Sequence, residues 1–500
     1  MTASLLIKGG LVADAQSGSC ERRDLLIEDG LIAQIRSANK GNDPGVNVAI
    51  HDAGDRLIIP GLVNAHTHGH ANLMKGVADR WSLEASLTNG PWLGGGRDPE
   101  MMYISTLLGA VDMISKGCTA CFDLVYEFPR PSAAGMAAVA KAYADAGMRA
   151  VLAPMIADRS LFQAIPGLAE AMPDELRARI GAATLAPGRE IVDAVGAIAA
   201  AKDTLPAGIS LAVAPTIPHH CSDSFLQECA DLAARYGLPI HMHIAESRLQ
   251  AVVAHRLYGC SALAHLADLD ILRPGFVAAH SVWLDDRDLD LLAEHQACVA
   301  HIPASNYRLG SGIAHIRPML ERGITVALAT DGANSSDALN MFEAMRLASF
   351  SSRVFGSPRE FWLSARETLH AATAAGVTVL GLPRCGRIAE GFAADLTFLD
   401  LNSLNFIPLN DPLNQIVAAE DSSSVSEVMV GGRFVVKGGT LLTVNRGELR
   451  SNVAAALDRL APRIAESRAL AQKFEPLVVA FANAMAESPL PIDRYVSPNH

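Results

Sequence analysis

The chain has 500 residues, half of them hydrophobic and 19% charged, which is a globular rather than a disordered balance. Its formal charge of −12 (41 Lys and Arg against 53 Asp and Glu) argues against a broad nucleic-acid or anionic-membrane surface, since both need clustered cations. No apolar run approaches the ~18 residues that span a bilayer. The first apolar stretch stops at Lys8, so no signal peptide is expected, and the eight scattered Cys are expected as reduced thiols in a cytoplasmic protein.

In chain order, residues 1–57 read as short strands at 5–8, 24–27 and 31–35, with turns at Gly9-Gly10 and Asp29-Gly30. From 58 to 385, short apolar runs alternate with longer Ala/Leu-rich helical patterns. The runs lie at 62–68, 118–124, 148–154, 209–215, 238–243, 276–280, 298–302 and 324–330. Eight such alternations predict an α/β fold, a (β/α)8 TIM barrel. A doubly wound sheet is the alternative, but neither GxGxxG nor GxxxxGK[ST] occurs, and Gly94-Gly95-Gly96 fits neither. Residues 157–189, with Pro166, Pro173 and Pro187, read as an irregular, lid-like insertion. Strand texture returns over 386–445, at 394–399, 425–430 and 433–436, so both chain ends can build one small β-domain. Residues 446–500 read as a helical C-terminal extension, helical to about 485, and a tail.

Most residues able to do chemistry fall at the C-terminal ends of the eight runs, the catalytic face of such a barrel. They are His66 and His68, His243 and Glu246, His280, His301, and Asp331. Side chains two apart in a strand share a face, so His66 and His68 project together. His241 shares the face of His243 but lies deeper, in the core or behind a ligand. Each residue also has an ordinary reading: Glu246 as a solvated residue at a helix N-terminus, His280 as a packed histidine, Asp331 as a turn residue before Gly332. Convergence on one rim favours chemistry. Three His and one Asp suit a single divalent metal, Zn²⁺ or Fe²⁺, with a position left for water. A second metal would need a bridging group such as a modified Lys on the fourth run, and that run has no Lys. The Cys118-Thr119-Ala120-Cys121 motif lacks a second CxxC and its thiols face opposite sides of a strand, so it reads as packing. The absence of a paired HxE excludes a cytidine-deaminase type of zinc site. HExxH and GxSxG are absent too.

Several segments in the right order carry a resemblance. They are Pro60-Gly61-Leu62-Val63-Asn64-Ala65-His66-Thr67-His68, Lys116-Gly117-Cys118-Thr119, His241-Met242-His243-Ile244-Ala245-Glu246, His280-Ser281, His301-Ile302-Pro303-Ala304-Ser305-Asn306 and Thr330-Asp331-Gly332. The segments 340–346 and 391–396 continue the match. Over residues 1–440 the sequence resembles the amidohydrolase superfamily, in the aminohydrolase/chlorohydrolase branch. That branch includes guanine and cytosine deaminases, S-adenosylhomocysteine deaminase and triazine hydrolases. The resemblance implies that His66, His68, His243 and Asp331 hold one metal, Zn²⁺ first and Fe²⁺ second. It implies that Glu246 is the proton-transfer acid, that His280 helps activate water together with Asp331, and that His301 lies near the site. The two strand-rich ends would form a composite β-sandwich.

The sequence also departs from that family. Where relatives acting on adenosine-like substrates carry a PHAPY-type segment, this chain has Pro215-Thr216-Ile217-Pro218-His219. Thr216 replaces the substrate-facing His, with His219 or His220 to compensate. Trp92-Leu93 runs straight into Gly94-Gly95-Gly96, and the ribose-binding Glu has no counterpart. The expected reaction is therefore deamination of a free aminated N-heterocycle (a base, pterin or triazine) to the ring carbonyl and ammonia. The alternatives are dechlorination or cyclic-amide opening, a nucleoside deaminase of the adenosine or S-adenosylhomocysteine type, and a non-catalytic metal-binding scaffold. Segments 76–96 and 157–189 are expected to roof the pocket, with Trp81, Trp92 and Phe162 as stacking faces; packing of those rings onto the barrel is the equal reading. The expected partner is a small heterocycle, with no nucleic acid and no membrane; a homo-oligomer, dimer or larger, is compatible.

Overall fold

The computed structural model describes residues 4–38, 48–180, 185–336, 338–355 and 357–495. All eight runs are strands: Leu62–Thr67, Cys118–Val125, Arg149–Ile156, Ile209–Leu211 continued by Ala214–Pro215, Ile240–Ile244, Phe276–His280, Cys298–His301 and Val326–Leu328. They pair in parallel, the first four in one sheet and the last four in another. A parallel bridge between Val213 and Ile240 links the sheets on one side. On the other, the Asp331 N–H donates to the His66 carbonyl at 3.0 Å and Asn64 Nδ2 donates to Thr330 Oγ1 at 2.7 Å.

The strands read as continuous apolar runs because both of their faces are buried. Successive side chains of one strand serve two cores. Ala120 and Phe122, Val151 and Ala153, Val277 and Ala279 join one cluster. Cys121, Leu152, Met242 and Ala278 join another, with helix residues such as Tyr143, Ile198, Leu232 and Leu292. Serines start several of the intervening helices: Ser132 caps Ala133–Ala146, Ser222 caps Asp223–Tyr236 and Ser247 caps Arg248–Tyr258. Such a cap typically contributes about 1 kcal/mol.

Both chain ends enter one nine-stranded sheet. The junction is the antiparallel pairing of Arg56–Pro60 with Leu396–Asp400, which sets Pro60 opposite Leu396. Ile7, Leu25, Ile58, Phe398 and Met429 fill its core. The turn expected at Gly9-Gly10 is instead a bulge inside one long strand, Ser4–Asp14. The strand passes so close to the Ile58 side chain that a Cβ on Gly10 would lie 2.3 Å from it. The Asp29-Gly30 turn is present, both residues having positive φ.

The stretch expected to be irregular, 157–189, contains two short helices, Leu161–Ala164 and Asp174–Ile180. Its prolines punctuate rather than prevent helix: Pro173 precedes Asp174, where a missing N–H costs nothing. Positions 181–184 lie outside the described residues. The long helix Arg446–Ala486 starts at an Asn445 cap and continues through Pro462 and Pro476. It is not a detached extension. Leu460, Ile464, Phe474 and Val478 bury against the segments following the first and third strands and against the helix Arg248–Tyr258. No helix among the described residues is long and apolar enough to cross a membrane.

Candidate active site

The predicted residues converge at the C-terminal ends of the parallel strands. His66 and His68 leave the first strand on one face, and His243 closes the fifth. The Nε2 atoms of His66 and His68 lie 3.2 Å apart, and those of His68 and His243 3.4 Å apart. Asp331 Oδ1 is 3.2 Å from His68 Nε2 and 3.6 Å from His66 Nε2. The outer nitrogens are already committed: Nδ1–H of His68 donates to the Leu124 carbonyl at 3.0 Å, and Nδ1–H of His243 to the Thr216 carbonyl at 2.7 Å. With Nε2 of His66 left free, its Nδ1–H donates to His241 Nε2 at 3.0 Å. His241 therefore supports the His66 ring from behind.

Three imidazole nitrogens and a carboxylate oxygen thus converge on one point. Donors 2.0–2.1 Å from a tetrahedral ion would be separated by about 3.3 Å, and the observed 3.2–3.6 Å brackets that value. The donor set fits a divalent cation. Burial holds His66 down, at about 3, and His243 well below the ordinary imidazole range, so both are neutral, the form that metal binding requires. His68 is pushed down by burial, but the Asp331 carboxylate more than offsets this. Despite its own burial, Asp331 is held well below the carboxylate range by His66 and His68.

Glu246 sits beside this cluster, 1% exposed, with Oε2 3.5 Å from His280 Nε2. Burial, then the nearby Asp331 and Glu84 charges, pushes its carboxyl well above the ordinary range. His280 donates Nδ1–H to Asn306 Oδ1 at 2.8 Å, which leaves Nε2 as a lone pair with no hydrogen bond. Ser305 Oγ donates to Asp331 Oδ2 at 2.6 Å. One segment, His301 to Asn306, therefore orients both the His280 ring and the Asp331 carboxylate. Ala245, His280, Ser281 and Asp331 all have positive φ. Such conformations cost of order 1–3 kcal/mol each and cluster where a site demands them.

A cavity of about 590 Å³ opens over these groups, lined by His68, His243, Glu246, His280 and Asp331. Of the six residues expected to contact substrate, Thr216 and His220 line it, and His220 Nε2 is buried without a partner. His219 turns away, its ring 4.9 Å from that of His220. His301 is buried, with no hydrogen bond to either ring nitrogen, off the cavity wall. Trp81 and Trp92 do not face the cavity. They pack edge to face at 6.3 Å in the cluster under the long C-terminal helix, where Arg468 covers the Trp92 ring. Their segment forms the helix Leu83–Gly94, which turns Trp92 inward and presents Leu83, Leu87 and Pro91 to the cavity. Phe162 does line it.

Sequence reading missed His70, which lies in the short helical turn Gly69–Met74 after the first strand. His70 lines the cavity, and its Nδ1 accepts the Tyr126 N–H at 3.3 Å. It also missed Leu470 and Phe474, more than 130 positions after Asp331, for which no local signal exists.

Comparison with known proteins agrees with this geometry. The pattern of the amidohydrolase family matches residues 57–435. The 5′-deoxyadenosine deaminase of Methanothermobacter thermautotrophicus is 33% identical over 440 residues, 88% of this chain and 94% of that protein. The zinc-bound structure of an adenosine deaminase from Xanthomonas campestris superposes with a TM-score of 0.79 at 26% identity, covering 92% of this chain and 99% of that one. The zinc complex of atrazine chlorohydrolase from Arthrobacter aurescens TC1 gives a TM-score of 0.80 at 25% identity, covering 91% and 100%. On the match to its pattern and the converging histidines, the chain is a metal-dependent enzyme that belongs to the amidohydrolase family.

Proposed function

We propose that this enzyme hydrolytically deaminates an adenine nucleoside, giving the ring carbonyl and ammonia. The observation that carries the deaminase reading is Glu246: a buried, proton-holding carboxyl beside the histidine cluster. Expulsion of an amine needs a proton, whereas chloride leaves without one. The nucleoside was the alternative in the sequence reading, which preferred a free base. The similarity to a 5′-deoxyadenosine deaminase over 88% of the chain now favours it. So does a cavity of about 590 Å³, more room than a bare ring needs.

In this reading His66, His68, His243 and Asp331 hold one divalent metal, Zn²⁺ before Fe²⁺. When bound, it supplies Lewis-acid activation of a water near neutral pH. Asp331 and His280 take the proton of the attacking water, with Ser305 and Asn306 fixing their orientation. Glu246 gives its proton to the ring nitrogen next to the attacked carbon, takes the second water proton from the hydroxyl of the adduct as the carbonyl forms and passes it to the leaving amine; the proton held by Asp331 and His280 then returns to Glu246. His220 Nε2 serves where Thr216 replaces the substrate-facing His of relatives. The proposed architecture is a (β/α)8 barrel over 58–385, a composite β-sandwich from 1–57 and 386–445, and a C-terminal extension over 446–500. The free aminated heterocycle stays as a second reading because Thr216 and Gly94-Gly95-Gly96 stand where nucleoside-binding groups are expected.

Ammonia release by zinc-loaded protein tests the proposal, using adenosine, 5′-deoxyadenosine, free purines and pyrimidines, pterins, and amino- and chlorotriazines. Turnover of the adenosines is expected. Turnover of free rings alone would return the second reading, and chloride release alone would overturn deamination. Elemental analysis is expected to give one metal per chain; two would require a bridging ligand between them.

A further inference from the structure

The proposed chemistry leaves one cavity-lining imidazole, His70, without a task. Its ring centroid lies 5.3 Å from that of His68. Its Nδ1 accepts the Tyr126 N–H at 3.3 Å, which places the ring proton on Nε2. That Nε2–H has no hydrogen-bond partner among the described residues.

This donor is held still. The turn Gly69–Met74 that carries it is tied down at Gly69, whose N–H donates to Asp123 Oδ1 at 2.7 Å. Ser105 Oγ reaches the carbonyls of Gly69, at 2.8 Å, and His70, at 3.1 Å. Tyr126, which fixes the tautomer, is seated by the glycine run that fits no phosphate loop: a Cβ on Gly94 would lie 2.4 Å from its ring.

The position of the acid sets the orientation of a bound ring. His70 follows the first of the parallel strands and Glu246 the fifth, so the two stand on opposite sides of the strand array with the histidine cluster between them. In an adenine whose N1 faces Glu246 and whose C6 lies over the cluster, the edge beyond C6 turns toward the first strand. That edge carries N7, a lone-pair acceptor. Other polar side chains line the cavity too. The Thr88 and Ser335 hydroxyls already donate to the Glu84 and Gly332 carbonyls, at 2.7 and 3.1 Å. Asn334 and the Tyr126 hydroxyl carry further donors. His70 differs from these in adjoining His68 and in having its proton placed by a main-chain bond.

We propose that His70 determines specificity for a purine by donating its Nε2–H to N7 of the ring being deaminated. This rests on the adenine-nucleoside reading and adds to it the residue that recognises the far edge of the base.

The test pairs adenosine with 7-deazaadenosine, in which a C–H replaces N7, on the zinc-loaded full chain. In the wild type, kcat/KM for adenosine should exceed that for 7-deazaadenosine by roughly 10- to 100-fold, the range for leaving a buried donor unpaired. His70→Ala should lower the adenosine value toward the 7-deaza value and change the latter little. His70→Gln, which keeps an N–H donor, should restore part of the preference. Elemental analysis should find metal content unchanged in both variants. Equal kcat/KM on the two nucleosides in the wild type overturns the proposal. So does an undiminished preference in His70→Ala, which would move N7 to Asn334 or Tyr126, and so does loss of metal in both variants, which would make His70 a support of the cluster. Calorimetric binding of the same pair separates this contact from the reaction. If adenosine is not deaminated but binds more tightly than 7-deazaadenosine, and His70→Ala removes the difference, the contact stands and the reaction assignment falls. If the wild type binds both alike, or neither, the contact falls as well.

Discussion

The two ends of the cavity are built on opposite principles. At the polar end, four side chains at or just past the ends of parallel strands are each fixed by a specific bond. His68 is held by the Leu124 carbonyl, His243 by the Thr216 carbonyl, His280 by Asn306, and Asp331 by Ser305. At the other end, Phe162, Leu470 and Phe474 come from segments remote from one another and are held by packing. Hydrogen bonds fix direction, which proton transfer and metal ligation require. Packing fixes only volume. Mutations should therefore act on rate, metal content or recognition of the reacting ring at one end and on the volume admitted at the other.

The largest effect is expected from His243→Ala, which removes one of three converging Nε2 donors. Elemental analysis should find the metal largely lost, and ammonia release should fall to background. Retention of one metal per chain would break the polar end of the comparison.

Next in size is Glu246→Gln, which keeps shape but cannot donate the proton. A kcat loss of roughly 10²–10⁴, about 3–5 kcal/mol of barrier, is expected with metal content unchanged. The pH profile sharpens the point. Burial raises the Glu246 carboxyl, and in the proposed mechanism its protonated form is the donor. The wild-type rate should thus hold below that raised pKa and decline as pH climbs through it. The Gln variant should lose this limb. A profile identical in both proteins would assign the proton to another group.

Ser305→Ala should be milder. It removes the 2.6 Å bond to Asp331 Oδ2, and loss of such a supporting partner typically costs 10–100-fold in metal affinity or activity. A metal titration of the variant measures it directly; an unchanged affinity and rate would mean that Asp331 is oriented by the strand end alone.

The smallest kinetic effect is expected from Trp92→Ala. Trp92 is 3% exposed and packs under the C-terminal helix. KM and kcat should stay near wild type in folded protein, while thermal unfolding should show a stability loss of about 3–5 kcal/mol. A raised KM with unchanged stability would put Trp92 back on the cavity.

Much of the strand-end chemistry was legible because it follows a local rule. A strand alternates its side chains, so His66 and His68 had to project together, and a polar residue closing an apolar run had to sit at the strand's end. His70 lies beyond that rule, in the single helical turn Gly69–Met74 that follows the strand. The tryptophans were misplaced because an aromatic residue in a loop-like segment gives no sign of which way it turns. Here the segment is a helix, and its periodicity sends Trp92 to the interior and Leu87 to the cavity. Gly9-Gly10 was read as a turn for a related reason: glycine permits a turn, but here it permits a close passage by Ile58.

What the sequence determined by itself were the eight apolar runs, the polar residues at their ends and the strand character of the two segments that flank them, 1–57 and 386–445. Each is a property of a few adjacent residues and of the period of the backbone that carries them. Only the tertiary structure decided that Asp331 lies 3.2 Å from His68, that the chain ends share one sheet, and that a helix beginning at Arg446 walls a cavity opened by the strands before it. The physical reason is that these contacts join residues hundreds of positions apart, and apolar burial, which drives them, is non-directional. It rewards any partner that fills the space, so a Leu or Phe on a helix does not specify which face of the molecule it will cover until the rest of the fold is in place.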